Sequence, residues 1–389
     1  MKKGLAGCSL IALVLTGYLL LEGTKEDEVY VPAGSTITVT EPRTETVSLV
    51  AVGDCLMHNT QIWSGEQPDG SYCFDHFFSD VAHLIKEADY SSVTFEAPMA
   101  GPKSGYTGYP LFNSPDAMAQ AFKNAGFDLI VTSNNHSLDR GVQGALRTLD
   151  VLQAAQLDTI GTYRNEAESQ ISLIKDIRGV KIGYLAYTYG TNGIPVPADK
   201  PYLINLLEED RVINDVSTLR PLVDILVVIL HWGVEYAARP TEAQVELAHK
   251  ICQAGADVIL GSHPHVIQTM EVFQSGDKDK FIIYSMGNFI SHQIGLERNS
   301  GIVLNLKFTK NFDRGETWLQ EVSYIPTYSH PFYINGRMYF RVVPVQEAME
   351  RIMEGTELYL GSQDLPTLQN VWDSTTQQLQ EPFVKSPDI

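Results

Sequence analysis

Two histidines one residue apart close a short apolar run in residues 256–268, ADVILGSHPHVIQ. A buried strand at 258–260 that ends in Gly261 and Ser262 would aim His263 and His265 into one small volume. Imidazole is the commonest metal-ligating side chain, so the pair points to metal chemistry; the plainer reading is two surface histidines on a turn. Other polar residues stand in similar places. They are Asp54 in AVGDCLMH, Glu96 in FEAPM, Asn135, His136, Asp139 and Arg140 in TSNNHSLDRG, and His231 in LHWGVEY. Each has a bland counterpart. A strand-end aspartate caps backbone amides, and a glutamate before Ala97-Pro98 fits a solvated loop. Asparagine favours left-handed turns, and a lone histidine beside Trp232 is commonly a satisfied core residue.

The pattern around these residues decides between the readings. Apolar runs at 47–52, 91–95, 127–132, 180–187, 223–230, 258–260 and 281–284 read as strands. Between them, spacing predicts helices at 75–88, 114–126, 141–155, 206–219 and 241–255. Ser114 as N-cap, Pro115 at the first position and Gly126 past the end delimit the second. Thr241 and Gln244 form a capping-box pair at the start of the last. Strands alternating with helices predict an α/β fold, in which ligands gather beyond the carboxyl ends of the strands. Asp54, Glu96, Asn135, His136, His231, His263 and His265 then converge on one edge. His76, His83 and His249 fall in helices as structural or surface residues, and His292 and His330 carry no assignment. After about Gly301 the alternation gives way to strand-like pieces (GIVLNLKF, TWLQEVSYIP, MYFRVVPV), with a polar helical tail from Gln346.

The chain has 389 residues with 28 Lys and Arg against 47 Asp and Glu, a formal charge of −19. That balance excludes a nucleic-acid partner, because no basic field displaces counterions. It also requires a local positive centre to hold any anionic substrate, which a metal ion supplies. No Gly-rich phosphate loop signals a nucleotide. Lys2 and Lys3 precede an apolar run from 5 to 21 with no small-residue cleavage site behind it. Residues 1–22 are therefore expected to be an uncleaved membrane anchor with the body outside the cytoplasm, and 23–46 a polar linker. Beyond the anchor stand Cys55, Cys73 and Cys252, an odd count that is no disulfide framework. A Cys55–Cys73 bridge is conceivable, and Cys252 reads as core.

With those clusters quoted, the chain resembles the CapA family, the poly-γ-glutamate capsule biosynthesis proteins, whose fold is similar to that of calcineurin-type metallophosphoesterases. The resemblance rests on AVGDCLMH, FEAPM, GFDLIVTSNNHSLDRG, LHWGVEY, AGADVILGSHPHVIQ and YSMGNF, in family order, across roughly 47–308. It implies a four-layer α-β-β-α sandwich over 47–308, followed by a C-terminal β-extension and helical tail at 309–389. It also implies a centre for one or two divalent ions. Asp54 and His265 would hold one ion, Asn135, His231 and His263 the other, and Glu96 would bridge them. His136 would serve as acid or electrostatic partner, oriented by Asp139. Two departures stand out. Leu56 occupies the place of the first-motif histidine, with His58 two residues on, and Glu96 stands where aspartate is usual.

Mixed nitrogen and oxygen ligation without thiolate suits Mn, Fe or Zn. The expected function is a membrane-anchored, extracytoplasmic metal-dependent hydrolase, phosphoesterase- or amidase-like, acting in poly-γ-glutamate synthesis or export beside other membrane subunits. Arg140, Tyr236, Arg239 and Asn288 are candidates for holding an anionic polymer, though each also fits a surface ion pair or packing contact. The rival expectation is a non-catalytic polymer-binding component of the same complex.

Overall fold

The computed structural model describes residues 42–379 and 383–384. The expected anchor at 1–22 and most of the expected linker lie outside the described residues. Among those described, no helix is long and apolar enough to cross a membrane. In chain order the elements are β1 (Thr44–Cys55), α1 (Asn59–Gly65), α2 (Ala82–Lys86), β2 (Tyr90–Phe95), α3 (Ala117–Ala125), β3 (Leu129–Val131), α4 (Gly141–Ala154) and β4 (Asp158–Ile160). Then follow α5 (Glu166–Ser169), β5 (Leu173–Ile177), β6 (Val180–Thr188), α6 (Glu209–Leu219), β7 (Ile225–His231), α7 (Glu242–Ala254) and β8 (Val258–Ser262). The chain ends with β9 (Met270–Ser275), β10 (Lys278–Ile283), β11 (Asn288–Ile290), β12 (Ser300–Asn311), β13 (Glu316–Ile334), β14 (Arg337–Pro344), α8 (Val345–Glu354) and α9 (Leu365–Leu379).

Two sheets result, one ordered β14-β13-β12-β1-β2-β3-β4 with β11 against β1, the other β5-β6-β7-β8-β10-β9. β1 to β4 run parallel, as do β6, β7, β8 and β10. The unbroken apolar runs follow from burial on both strand faces. In β1, Leu49 and Ala51 join the core between the sheets, whereas Val50 and Val52 face the helices outside. In β7, Val227 and Ile229 point inward, and Leu226, Val228 and Leu230 pack outward against Val212 and Val216 of α6 and Ile251 of α7. Helix, sheet, sheet, helix is the four-layer α-β-β-α sandwich expected. The C-terminal β-extension continues the first sheet, since β12 lies antiparallel to β1 from Thr44↔Asn311 to Val52↔Val303. Position 308 thus falls inside a strand.

Several local expectations differ. The helix expected at 75–88 is a single turn at Asp75–Phe77 followed by α2. The break falls where Asp80 is drawn to Arg341 of β14 (2.8 Å), a long-range tie that local spacing does not reveal. Helix α3 starts with Asp116, not Ser114, at the cap. The Asp116 carboxylate is taken by Arg147, and the buried Ser114 instead donates its N–H to the Pro98 carbonyl. Helix α6 begins at Glu209 rather than 206. The Thr241–Gln244 capping box and the Gly255 stop of α7 are as expected. Cys55 and Cys73 are both free thiols, one buried and one exposed.

One glycine fixes the approach of β11 to β1. A Cβ on Gly53 would stand 1.9 Å from the Gly287 carbonyl oxygen, a backbone atom that cannot swing aside. Gly53→Ala should therefore cost about 2–3 kcal/mol, the usual penalty for overpacking a rigid site. Urea unfolding with a chelator present measures it, and a loss below about 0.5 kcal/mol would show that the two strands can part freely.

Candidate metal centre

The carboxyl ends of both sheets meet at one edge. Asp54 belongs to the last turn of β1, Glu96 follows β2, Asn135 and His136 follow β3, His231 ends β7, and His263 and His265 follow β8. All of them are buried. A bulge in the pairing of β1 with β2 between Val52 and Asp54 helps aim the carboxylate. His263 and His265 both take positive φ, 96° and 59°, a region that side chains other than glycine rarely enter. The turn is held there by the His263 N–H donating to Asp54 Oδ2 (2.9 Å) and the Tyr236 N–H donating to the Pro264 carbonyl (2.8 Å). Backbone strain of this kind persists where the surroundings over-determine it, as they do here.

The carboxylates are the exceptional groups. Asp54 and Glu96 are both fully buried, yet Asp54 Oδ1 and both Glu96 oxygens accept no hydrogen bond. Among the described residues no Lys or Arg pairs with either. Imidazole nitrogens surround them just beyond hydrogen-bond reach. Glu96 Oε1 lies 3.7 Å from His231 Nε2, 3.9 Å from His265 Nε2 and 3.9 Å from His136 Nε2. Asp54 stands 3.8 Å from His231 Nδ1 and 3.7 Å from His265 Nδ1. Two ligands each about 2.1 Å from a shared ion lie roughly 3–4 Å apart, so these spacings fit donors around a cation. His263 Nδ1 is another buried atom without a partner.

Burial pushes the Asp54 carboxyl up to about 7, against the smaller pull of the hydrogen bonds from His263 N–H and Ser262. Burial, then the Asp54 charge, holds Glu96 well above the usual carboxylate range. The imidazoles move the other way, as burial lowers His263 to about 4 and His265 to about 3, and pushes His231 well below its ordinary value. Neutral imidazole is the ligand form. His265 Nδ1–H donates to Asn288 Oδ1 (3.0 Å), which leaves Nε2 free to face Glu96. His231 Nδ1 pairs with Ser262 Oγ (3.0 Å), and its Nε2 lies 2.8 Å from Asn135 Oδ1. The donors fall into two sets sharing Glu96: Glu96, His263 and His265, and Asp54, Glu96 and His231. Glu96 is common to both sets, the bridging place the resemblance implies for it, and Asn288 turns His265 Nε2 toward it.

Beside these donors His136 Nδ1–H donates to Asp139 Oδ2 (2.7 Å), and the same oxygen accepts the Phe112 N–H (2.7 Å). The His136 ring stands edge-on to Phe112, 4.6 Å between centroids. Leu56 is buried in the outer core, so the first motif supplies Asp54 alone. His58 packs against Phe112 at 5.8 Å and joins neither donor set. The four substrate candidates separate. Arg140 clamps the loop before it, bonding Phe112 O, Leu111 O and Thr107, so it is a loop clasp rather than a free anion site. Asn288 is a buried partner of His265, not a substrate contact. Tyr236 is half exposed at the rim, 5.9 Å from the His265 ring, and Arg239 is exposed three residues later. His83 and His249 pair with Glu347 and Glu271 away from the centre.

Tyr189 and Asn192 were not singled out from the sequence. Tyr189 lies tilted against His263, 4.5 Å between ring centroids, and Asn192 Oδ1 accepts from Asn135 Nδ2 (3.2 Å) while its amide nitrogen lies 3.4 Å from His136. The signal was present: the strand at 180–187 runs into Thr188-Tyr189-Gly190-Thr191-Asn192, a polar cluster like those ending the other strands.

Two outcomes follow. Metal affinity should fall as pH drops through about 7, because Asp54 and Glu96 must lose protons to ligate while the histidines stay neutral down to about 4. Titration calorimetry in buffers of differing ionisation heat should show protons released on binding below pH 7, and none released would contradict the assignment. Asn288→Ala, which frees His265 Nδ1, should weaken binding about 10–100-fold with the fold intact. Unchanged affinity would show that Asn288 does not orient the ligand.

A profile of the family described as "Bacterial capsule synthesis protein PGA_cap" matches residues 48–293. The chain is 30% identical over 260 residues to the capsule biosynthesis protein CapA of Bacillus anthracis, covering 64% of this chain and 61% of that one. It is 29% identical over 242 residues to the PGA biosynthesis protein CapA of Bacillus subtilis (strain 168), covering 61% and 62%. The match thus spans about three-fifths of the length of either relative. Among solved structures, one described as a novel phosphatase from Mycoplasma pneumoniae aligns with 73% of this chain and 94% of its own, at 14% identity and a TM-score of 0.44. The family profile covers well over half of the chain and all of the residues gathered at the strand ends: the protein belongs to the bacterial capsule synthesis protein PGA_cap family.

Proposed function

We propose that this protein acts in the synthesis or export of poly-γ-glutamate as a metal-dependent hydrolase, held at the outer face of the membrane by its N-terminal segment among other subunits of the complex. One observation carries the reading. Two fully buried carboxylates with unpartnered oxygens are ringed by neutral imidazoles, a set that suits one or two divalent ions such as Mn, Fe or Zn. Asp54, Glu96, His231, His263 and His265 would hold the metal, with Asn135 alongside. A divalent cation there supplies the positive charge that polarises a phosphoryl or acyl oxygen and activates water.

The chain's own contribution is positional and protonic. Asp139 fixes the proton of His136 on Nδ1, so Nε2 faces the centre, 3.9 Å from Glu96. There it can exchange a proton with a leaving group or hydrogen-bond a developing oxyanion. Phe112 shields one side of the ring from water, and Asn192 covers it from another. The second reading, a polymer-binding component without turnover, is favoured by Leu56, which removes one histidine from the first motif. It uses the same donors, with a cation shared between protein and polymer carboxylates.

Hydrolysis of γ-linked glutamate oligomers and of aryl phosphates by the full-length protein, with and without Mn, separates the two. The hydrolase reading expects turnover that a chelator abolishes and metal restores, and a fall of about 10²–10⁴-fold in kcat for His136→Ala with metal content unchanged. Metal retained with no turnover on either bond would leave the binding component.

A further inference from the structure

Arg298, at the rim of the metal centre, has no side-chain hydrogen bond to an acceptor among the described residues. Its side chain is 31% exposed, and its Nε is buried with no partner among the described residues. Arg140, by contrast, is committed to the loop carbonyls of Phe112 and Leu111. Among the described residues the acid within 4 Å of Arg298 is its neighbour Glu297, 3.9 Å away and 64% exposed, too distant for a hydrogen bond. The guanidinium carbon lies 3.7 Å over the centroid of the Tyr236 ring, and that ring stands 5.9 Å from the ring of His265.

Both ends of Arg298 are tied to the centre. Its carbonyl accepts from Asn288 Nδ2 (2.7 Å), the same amide whose oxygen orients His265. Tyr236 is fixed by its N–H bond to Pro264, between the two ligand histidines. Stacking on tyrosine holds a guanidinium in one plane and leaves its edge donors open, the arrangement suited to a planar two-oxygen anion. In a chain of net charge −19, such a cation is also what a polyanion needs in order to approach. Beside Tyr236 lies a cleft of about 180 Å³ lined by Ala238, Ile267, Glu297, Thr375 and Gln378.

We propose that Arg298, stacked on Tyr236, recognises a substrate carboxylate next to the group held at the metal centre, and that the cleft beside it takes the adjoining residue of the polymer. This makes Arg298 a specificity-determining residue for an anionic, carboxylate-bearing chain, and it rests on the polymer reading of the site given above.

The test is binding of a labelled γ-linked glutamate oligomer, and of its α-amidated analogue, to the full-length protein by fluorescence anisotropy. Measurements are made with and without Mn, so that loss of the metal and loss of the arginine read out separately. Wild type should prefer the free carboxylates, and Arg298→Gln should bind the oligomer about tenfold or more weakly with metal content unchanged. Arg298→Lys, which keeps the charge without the fork, should fall between the two. Arg314→Gln, an exposed substitution of equal charge change, should bind as wild type. Equal binding by wild type and Arg298→Gln would overturn the proposal, as would wild type that holds metal yet does not distinguish the amidated oligomer. In either case the metal centre itself would stand.

Discussion

Two carboxylates buried without a counter-charge are the constraint around which this molecule is arranged. Asp54 and Glu96 sit at the ends of adjacent parallel strands with three of their four oxygens unpartnered. Burying an ionised carboxylate without a partner costs several kcal/mol, so the fold keeps the pair protonated or gives it a cation. Histidines held neutral by the same burial make the second outcome chemically available. The surroundings serve that end. A glycine before Asp54 lets β11 close in, two histidines accept left-handed backbone to point inward, and Asn288 turns His265 to present Nε2.

The two sheets divide the labour. The first contributes the acids and the His136–Asp139 pair, the second contributes His231, His263 and His265, and the centre exists only because their carboxyl edges meet. The apolar layer between them, with Leu49, Ala51, Val227, Ile229, Val258 and Leu304, fixes that meeting. Stability of the core and geometry of the site are therefore one problem. Around the rim, Tyr189, Asn192, Tyr236 and Arg298 are less buried, as residues that meet an exchangeable ligand should be.

Much of this was legible in the sequence because parallel strands buried on both faces leave unbroken apolar runs, and chemistry gathers where those runs end. The gathering of Asp54, Glu96, His231 and the His263–His265 pair at one edge was legible that way. What escaped was set by distant contacts. The break after Phe77 depends on Arg341 reaching Asp80, more than two hundred residues away. Arg140 and Asn288 carried the right atoms for substrate binding, but only the folded chain shows one clasping a loop and the other supporting His265. Arg298 lies outside every strand-end cluster, since Asn288 and Tyr236 bring it to the rim from a later segment. Which imidazole nitrogen of His265 faces Glu96 is likewise a choice that residue order does not encode.

Anomalous scattering from crystals of the protein grown with manganese would locate any bound ion against the donors named here. A strong peak among Glu96, His231, His263 and His265, with Asp54 at its edge, is the expected result. Protein that crystallises with these side chains in place but shows no peak, or a peak only elsewhere, would contradict the reading of the buried acids as metal ligands.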